Sequence, residues 1–62
     1  MDAPNKLKVL RGKRTKEEVA SAINVSLSSY VKYERGERVP RDTVKRRIAE
    51  YYKVSVGSIF FS

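Results

Sequence analysis

The apolar residues of the chain recur at intervals of three and four positions, which is the period of one face of an α-helix. In chain order the groups are Leu7 and Leu10; Val19, Ala20 and Ile23; Tyr30 and Tyr33; Val44, Ile48, Tyr51 and Tyr52; and Val56, Ile59 and Phe60. No alternating run is long enough to make a β-sheet. The pattern therefore predicts an all-α fold, a compact bundle of four to five short helices.

Residues that cap helices stand just before several of these groups. Thr15 precedes Glu18 by three positions, the spacing of a capping box in which each side chain binds the other residue's free backbone N–H. Asn5 is the candidate N-cap of the first helix, Ser26 that of the third and Ser55 that of the last. These residues predict where the helices begin.

Residues that tolerate a left-handed backbone stand where the helices should end. Gly12 interrupts the first apolar group, Asn24 follows the second, and Gly36 closes a third helix that runs from about Leu27 to Arg35. Only a short turn separates the second helix from the third. That arrangement is typical of a helix-turn-helix, here at about residues 16–35.

The third helix has two unlike sides. At roughly 100° per residue, Tyr30 and Tyr33 fall together on one side, which we expect to face the core. The other side mixes apolar with polar residues: Leu27, Ser28, Val31, Lys32 and Arg35. Isolated apolar residues are common on protein surfaces, so this mixture alone has two interpretations, an ordinary surface or a contact face.

Glu34 falls at the boundary between the two sides of the third helix. A partly buried carboxylate needs a cation to offset the loss of its hydration. Arg11, at the end of the first helix, is the candidate partner, because a guanidinium can bind both carboxylate oxygens. The sequence therefore predicts a structural ion pair between Arg11 and Glu34.

Composition limits the classes of function. Among the 62 residues, 14 Lys and Arg stand against seven Asp and Glu, which leaves a net charge of +7. A chain of this length supports one core, so we expect a single domain over residues 1–62. The absence of Cys and His removes disulfides, thiolate metal sites and imidazole catalysis. We expect no enzyme, no cofactor and no metal, and nothing indicates a small-molecule ligand.

The excess positive charge favours a polyanionic partner, nucleic acid first and a membrane surface second. No segment approaches the roughly 20 apolar residues of a membrane span, and the N-terminal MDAPNKLK lacks the apolar core of a signal peptide. We therefore expect no membrane association. The expected location is the cytoplasm of a bacterial cell or of a phage-infected host.

The mixed side of the third helix matches what a major groove offers. B-DNA presents donors, acceptors and thymine methyl groups there and admits one α-helix. Lys32 can donate to guanine O6 or N7, and Ser28 can donate to or accept from any base. Leu27 and Val31 can pack on a thymine methyl group. These four residues are the predicted base-reading set.

The segments TKEEVASAINVS, SSYVKYERG and RVP together resemble the Cro and phage-repressor (XRE) family of lambda-repressor-like helix-turn-helix proteins. The resemblance covers nearly the whole chain. It rests on Val19, Ala20, Ile23 and Val25, on the serine before the third helix, on Gly36 and Pro40, and on the segment VSVGSIFF. In that family the third helix enters the major groove, which implies base contacts from its exposed positions.

The resemblance also suggests which residues contact the DNA backbone. Arg38 and Arg41 flank Pro40 in the loop where family members meet phosphates, and Lys16 stands where the family usually has a glutamine. Arg35 lies at the C-terminal end of the third helix, so we expect it to contact a phosphate and not a base. The complete predicted backbone set is Lys16, Ser26, Ser29, Arg35, Arg38, Arg41 and Lys45. For the adjoining Arg46 and Arg47 a solvated surface is the better interpretation.

The function implied by the resemblance is sequence-specific binding of duplex DNA by a transcriptional regulator, a repressor of the Cro or immunity-repressor type. A homodimer would bind an approximately palindromic operator with half-sites about 34 Å apart. Phe61 is the candidate dimer contact, because we expect it to have no partner within its own chain. Two alternatives stay open: the antitoxin of a toxin–antitoxin pair, and a basic protein-interaction or membrane-surface module.

Overall fold

The structure, a computed structural model, describes residues 2–61, most of which lie in five α-helices. These are α1 Ala3–Arg11, α2 Lys16–Ala22, α3 Leu27–Arg35, α4 Asp42–Tyr52 and α5 Val56–Phe60. No β-strand occurs within the described residues. The predicted bundle of four to five short helices is confirmed, and α2 and α3 lie within the limits predicted for the helix-turn-helix.

The first helix begins earlier than predicted, because Asp2 and not Asn5 is its N-cap. The Asp2 carboxylate accepts a hydrogen bond of 3.0 Å from the backbone N–H of Asn5. Pro4 stands in the first turn, where its missing N–H forfeits no helical hydrogen bond. The prediction that this helix ends at Gly12 is correct, since Gly12 is its C-cap at a φ of 55°.

The other predicted N-caps, Thr15, Ser26 and Ser55, are confirmed, but within residues 2–61 the Glu18 side chain makes no return bond to the Thr15 N–H, so the predicted capping box is only half formed. In each case the side-chain oxygen of the cap accepts a hydrogen bond from the backbone N–H three residues later, which satisfies one of the helix's unpaired donors. The bonds join Thr15 to Glu18 (3.0 Å), Ser26 to Ser29 (3.1 Å) and Ser55 to Ser58 (3.1 Å). Local sequence therefore determines the starts of α2, α3 and α5.

Two left-handed residues set the direction of α3. Asn24 has a φ of 59° and turns the chain from α2 to α3, as predicted. Gly36 has a φ of 75° and ends α3. A Cβ at Gly36 would also lie 3.3 Å from the Cγ of Pro4, so glycine allows α1 to approach the end of α3 closely.

One apolar cluster holds the helices together. Its buried members are Leu7, Val19, Ala20, Ile23, Tyr30, Tyr33, Val44, Ile48 and Ile59. Helix α3 packs against α1 and α2, while α5 packs against α4 and α1. The core therefore covers one side of α3 and leaves the other side open.

The predicted apolar stripe of α4 is only partly buried, because Tyr51 and Tyr52 lie at the edge of the core. Their ring centroids are 4.9 Å apart in an edge-on arrangement. The guanidinium carbon of Arg14 lies 5.6 Å from each centroid, within the range of a cation–π contact. Arg14 thus ties the loop before α2 to the end of α4.

Candidate nucleic-acid interface

The outward side of α3 carries the four residues predicted to read bases. Ser28 and Lys32 are exposed, Leu27 is 42% exposed, and Val31 is partly covered by its neighbours. On the opposite side, Tyr30 is completely buried. The helix therefore presents two polar side chains flanked by two apolar ones to the solvent.

A cluster of three predicted phosphate ligands lies at the N-terminal turn of α3. The Ser26 hydroxyl donates to Ser29 Oγ at 3.0 Å, and Nη1 of Arg38 donates to the same oxygen at 3.4 Å. Because Ser29 Oγ accepts both bonds, its own proton can be donated outward. The structure thus brings Arg38, from the loop after α3, to the first turn of that helix.

Lys16, Arg35 and Arg41 are exposed on three different segments. Lys16 is the first residue of α2, and Arg41 precedes α4 without using its side chain as a cap. The positive ends of the helix dipoles favour anions at both places. Arg35 lies 4.0 Å from the Glu37 carboxylate, but an ion pair between exposed side chains is weak and leaves Arg35 able to meet a phosphate.

Lys45 and Phe61 are closer together than the sequence indicated. The Lys45 ammonium lies 5.0 Å from the ring centroid of Phe61 and 5.3 Å from that of Phe60. The expectation that Phe61 has no partner within its chain is therefore wrong, because the turn of α5 brings both rings against α4. Phe61 is nevertheless 70% exposed. The phosphate contact of Lys45 and the dimer contact of Phe61 stay predictions.

The inner side of α3 contains the ion pair predicted from the sequence. Arg11 donates from Nε to Glu34 Oε2 at 2.7 Å and from Nη2 to Oε1 at 3.2 Å. Glu34 is only 2% exposed. The Tyr30 hydroxyl donates to Glu34 Oε2 as well. The carboxylate therefore has three hydrogen-bond donors, supplied by α1 and α3.

Opposing effects act on the pKa of Glu34. Burial raises the pKa of this carboxyl, but the hydrogen bonds from Arg11 and Tyr30 outweigh burial and leave the pKa below its usual value. Burial raises the pKa of Tyr30, and its bond to Glu34 raises it further. At neutral pH Glu34 is therefore an anion and Tyr30 a neutral donor.

The Tyr30 hydroxyl is the part of this cluster that the sequence prediction missed, because both tyrosines were assigned to the core for their rings alone. A signal was available. Tyr30 and Glu34 are four residues apart on one helix, a spacing at which side chains meet. Arg14 was missed too, since nothing local links it to Tyr51 and Tyr52.

Within residues 2–61, acidic side chains nowhere gather in a group of three that could hold a metal ion. No helix among these residues has the length and apolar character needed to cross a membrane.

Comparison with known proteins gives one match. Residues 6–59 match the model of a family described as helix-turn-helix. Searches of curated proteins and of solved structures found no match. The family match covers most of the chain, from α1 into α5.

Proposed function

The chain belongs to this helix-turn-helix family, the family of Cro and the phage repressors, and from that premise we propose that it reads specific DNA sequences with α3. The family is regulatory and not catalytic, and the chain is accordingly a DNA-binding protein of the transcription-regulator type. The finer proposal is a repressor that acts in the cytoplasm by occupying a promoter. Residues 1–62 would form one DNA-binding domain.

The observation that carries this proposal is the division of α3 into two sides. Tyr30 and Glu34 are buried on one side, whereas Ser28 and Lys32 are exposed on the other. A helix held in this way can enter a major groove without disturbing the core. Lys32 would donate to a guanine, Ser28 would bind a base edge, and Leu27 would pack on a thymine methyl group.

Basic residues around α3 would hold the helix in the groove. Phosphate contacts determine register and orientation, whereas base contacts supply specificity. Arg38 would place a phosphate at the first turn of α3, where the Ser29 hydroxyl can also donate. Lys16, Arg35 and Arg41 would contact phosphates of the DNA strands on either side of the major groove. The net charge of +7 supports such a polyanionic partner.

We propose that two copies bind together on an approximately palindromic operator, with their α3 helices about 34 Å apart. Phe61 supports this part of the proposal, because a ring that is 70% exposed beside Val56 and Lys45 is an apolar surface with little cover.

The test is selection of bound duplexes from a random pool, at about 50 and 200 mM salt, with anionic vesicles as a competing surface. The proposal predicts one enriched motif that consists of two inverted half-sites, and weak vesicle binding. Enrichment of a single half-site would contradict the proposed dimer but not sequence-specific binding by α3. Vesicle binding without preference among duplexes would favour a membrane-surface module over a regulator.

A further inference from the structure

The buried side of α3 is held by directional hydrogen bonds as well as by apolar packing. From this we infer that Tyr30 is a positioning residue for DNA recognition: its hydroxyl holds the Glu34 carboxylate toward Arg11 of α1, and that ion pair sets the rotation of α3 about its own axis. The inference rests on the proposed function, since it concerns how accurately α3 presents its outward residues to bases.

Burial makes the cluster rigid. Tyr30 is 0% exposed and Glu34 is 2% exposed, so water does not compete for their hydrogen bond. Oε2 of Glu34 accepts from both the Tyr30 hydroxyl and Nε of Arg11. A displacement of α3 relative to α1 would break the bond from Arg11 to this ionised group, and bonds to ionised groups are the stronger class of hydrogen bond.

The cluster also joins α3 to segments outside it. Nη1 of Arg11 donates to the backbone oxygen of Arg14 at 3.1 Å, in the loop that leads to α2. Arg14 in turn stacks on Tyr51 and Tyr52 of α4. Glu34 is therefore held from α1, which is itself bonded to the loop before α2, and that loop contacts α4.

Rotation of α3 is the motion that the Arg11–Glu34 bonds resist, because they join α1 to α3. The Tyr30 bond lies within α3 and acts by fixing the direction of the Glu34 carboxylate. Apolar packing is non-directional and tolerates small rotations, whereas hydrogen bonds weaken steeply away from linearity. Ser28 and Lys32 lie two residues before and after Tyr30, which places both nearly opposite it on the helix. A turn of about 20° would move a side-chain tip, about 6 Å from the axis, by about 2 Å. A shift of that size is enough to break a hydrogen bond between the side chain and a base.

The experiment compares Tyr30→Phe with the matched change Tyr33→Phe. Tyr33 is also buried on α3, but it is not among the donors to the Glu34 carboxylate, which are Arg11 and Tyr30. Dissociation constants are measured for the selected operator and for a duplex of permuted sequence, at one salt concentration and below the unfolding temperature of every variant. We expect Tyr30→Phe to lower the ratio of specific to non-specific affinity about tenfold, and Tyr33→Phe to leave it unchanged.

A structural role alone would lower stability but leave the ratio as it is, because the folded fraction binds both duplexes. An unchanged ratio in a folded Tyr30→Phe variant would overturn the inference and leave the proposed function intact. If wild type shows no preference for the operator, the proposed function is contradicted, and the inference is contradicted too because it rests on that function. Should Tyr30→Phe fail to fold, Glu34→Gln tests the same cluster, because it weakens the bonds from both Tyr30 and Arg11, and an unchanged ratio there counts against the inference equally.

Discussion

Arg11 and Glu34 form a two-point ion pair across the contact between α1 and α3. The guanidinium donates from Nε and Nη2 to the two oxygens of one carboxylate, at 2.7 and 3.2 Å. The carboxylate is almost completely buried, whereas the guanidinium keeps some contact with solvent. Because the anion is the buried partner, the loss of its cation should be costly.

The substitution Arg11→Met tests that cost. It leaves Glu34 buried without its cation, and removal of one partner of a buried pair typically costs about 3 to 5 kcal/mol. Since the guanidinium is partly exposed, we expect the free energy of unfolding to fall by about 3 kcal/mol in urea titrations. The double variant Arg11→Met, Glu34→Met should be more stable than the single variant. Equal stability of Arg11→Met and wild type would show that the pair is not needed.

Stability should depend on pH through Glu34. Its pKa is lower in the folded state, so the unfolded chain binds a proton first as the pH falls. The contribution is complete above the usual glutamate pKa of about 4.3 and is lost as the pH drops through the folded value. Urea titrations from pH 7 to pH 3 should show a fall below about pH 4 that is smaller in Glu34→Gln. An identical fall in both proteins would assign the effect to other carboxylates.

Two tyrosine substitutions should have opposite effects on stability. The Tyr52 hydroxyl is buried near the Tyr30 hydroxyl but makes no well-formed hydrogen bond within residues 2–61. Its removal in Tyr52→Phe should be neutral or stabilising, because an unsatisfied buried hydroxyl costs about 1 to 3 kcal/mol. Tyr30→Phe should cost about 2 kcal/mol, since the lost bond is to a charged acceptor. Thermal unfolding of the two variants decides this, and a destabilised Tyr52→Phe would mean that its hydroxyl is bonded.

Base-reading and phosphate-contacting residues should differ in how they affect binding. Lys32→Ala should relax preference at one base pair at a cost of about 1 to 3 kcal/mol for the operator. Arg38→Ala should weaken operator and permuted duplex alike and reduce the salt slope by about one. Both are read from binding isotherms at several salt concentrations.

Lys53→Ala is the matched control for those substitutions. Lys53 is exposed at the C-terminal end of α4, where the helix dipole disfavours a phosphate, so little change in binding is expected. If Lys32→Ala and Arg38→Ala weakened every duplex to the same degree, the division between reading and anchoring residues would be wrong.

The parts of the fold that the sequence predicts are those determined locally. Thr15 and Ser26 bind backbone N–H groups three residues away, and Gly36 takes the left-handed conformation without steric strain. Asp2, and not the predicted Asn5, caps the first helix, because the helix begins before Pro4 and carries it in its first turn. The position of Pro4 in the first turn determines which of the two residues caps this helix.

The parts that the sequence did not predict depend on how helices pack. Lys45 meets Phe61 only because α5 turns back against α4, and Arg14 meets Tyr51 only because α4 ends beside the loop before α2. The contact between Arg11 and Glu34 also depends on helix packing, but it was predicted, since a carboxylate buried at the edge of a core needs a cation as its partner. That ion pair was predictable from the cost of burying a charge, although the apolar periodicity does not indicate it.

The most direct test of the account replaces single guanines of the selected operator with 7-deazaguanine. This change removes the N7 acceptor from the major groove and leaves base pairing and the minor groove intact. If Lys32 on α3 reads a guanine, wild type should lose about tenfold in affinity at one position of each half-site, and Lys32→Ala should not. Undiminished affinity of wild type at every position would contradict donation by Lys32 to a guanine N7 in the major groove, the central claim made for α3.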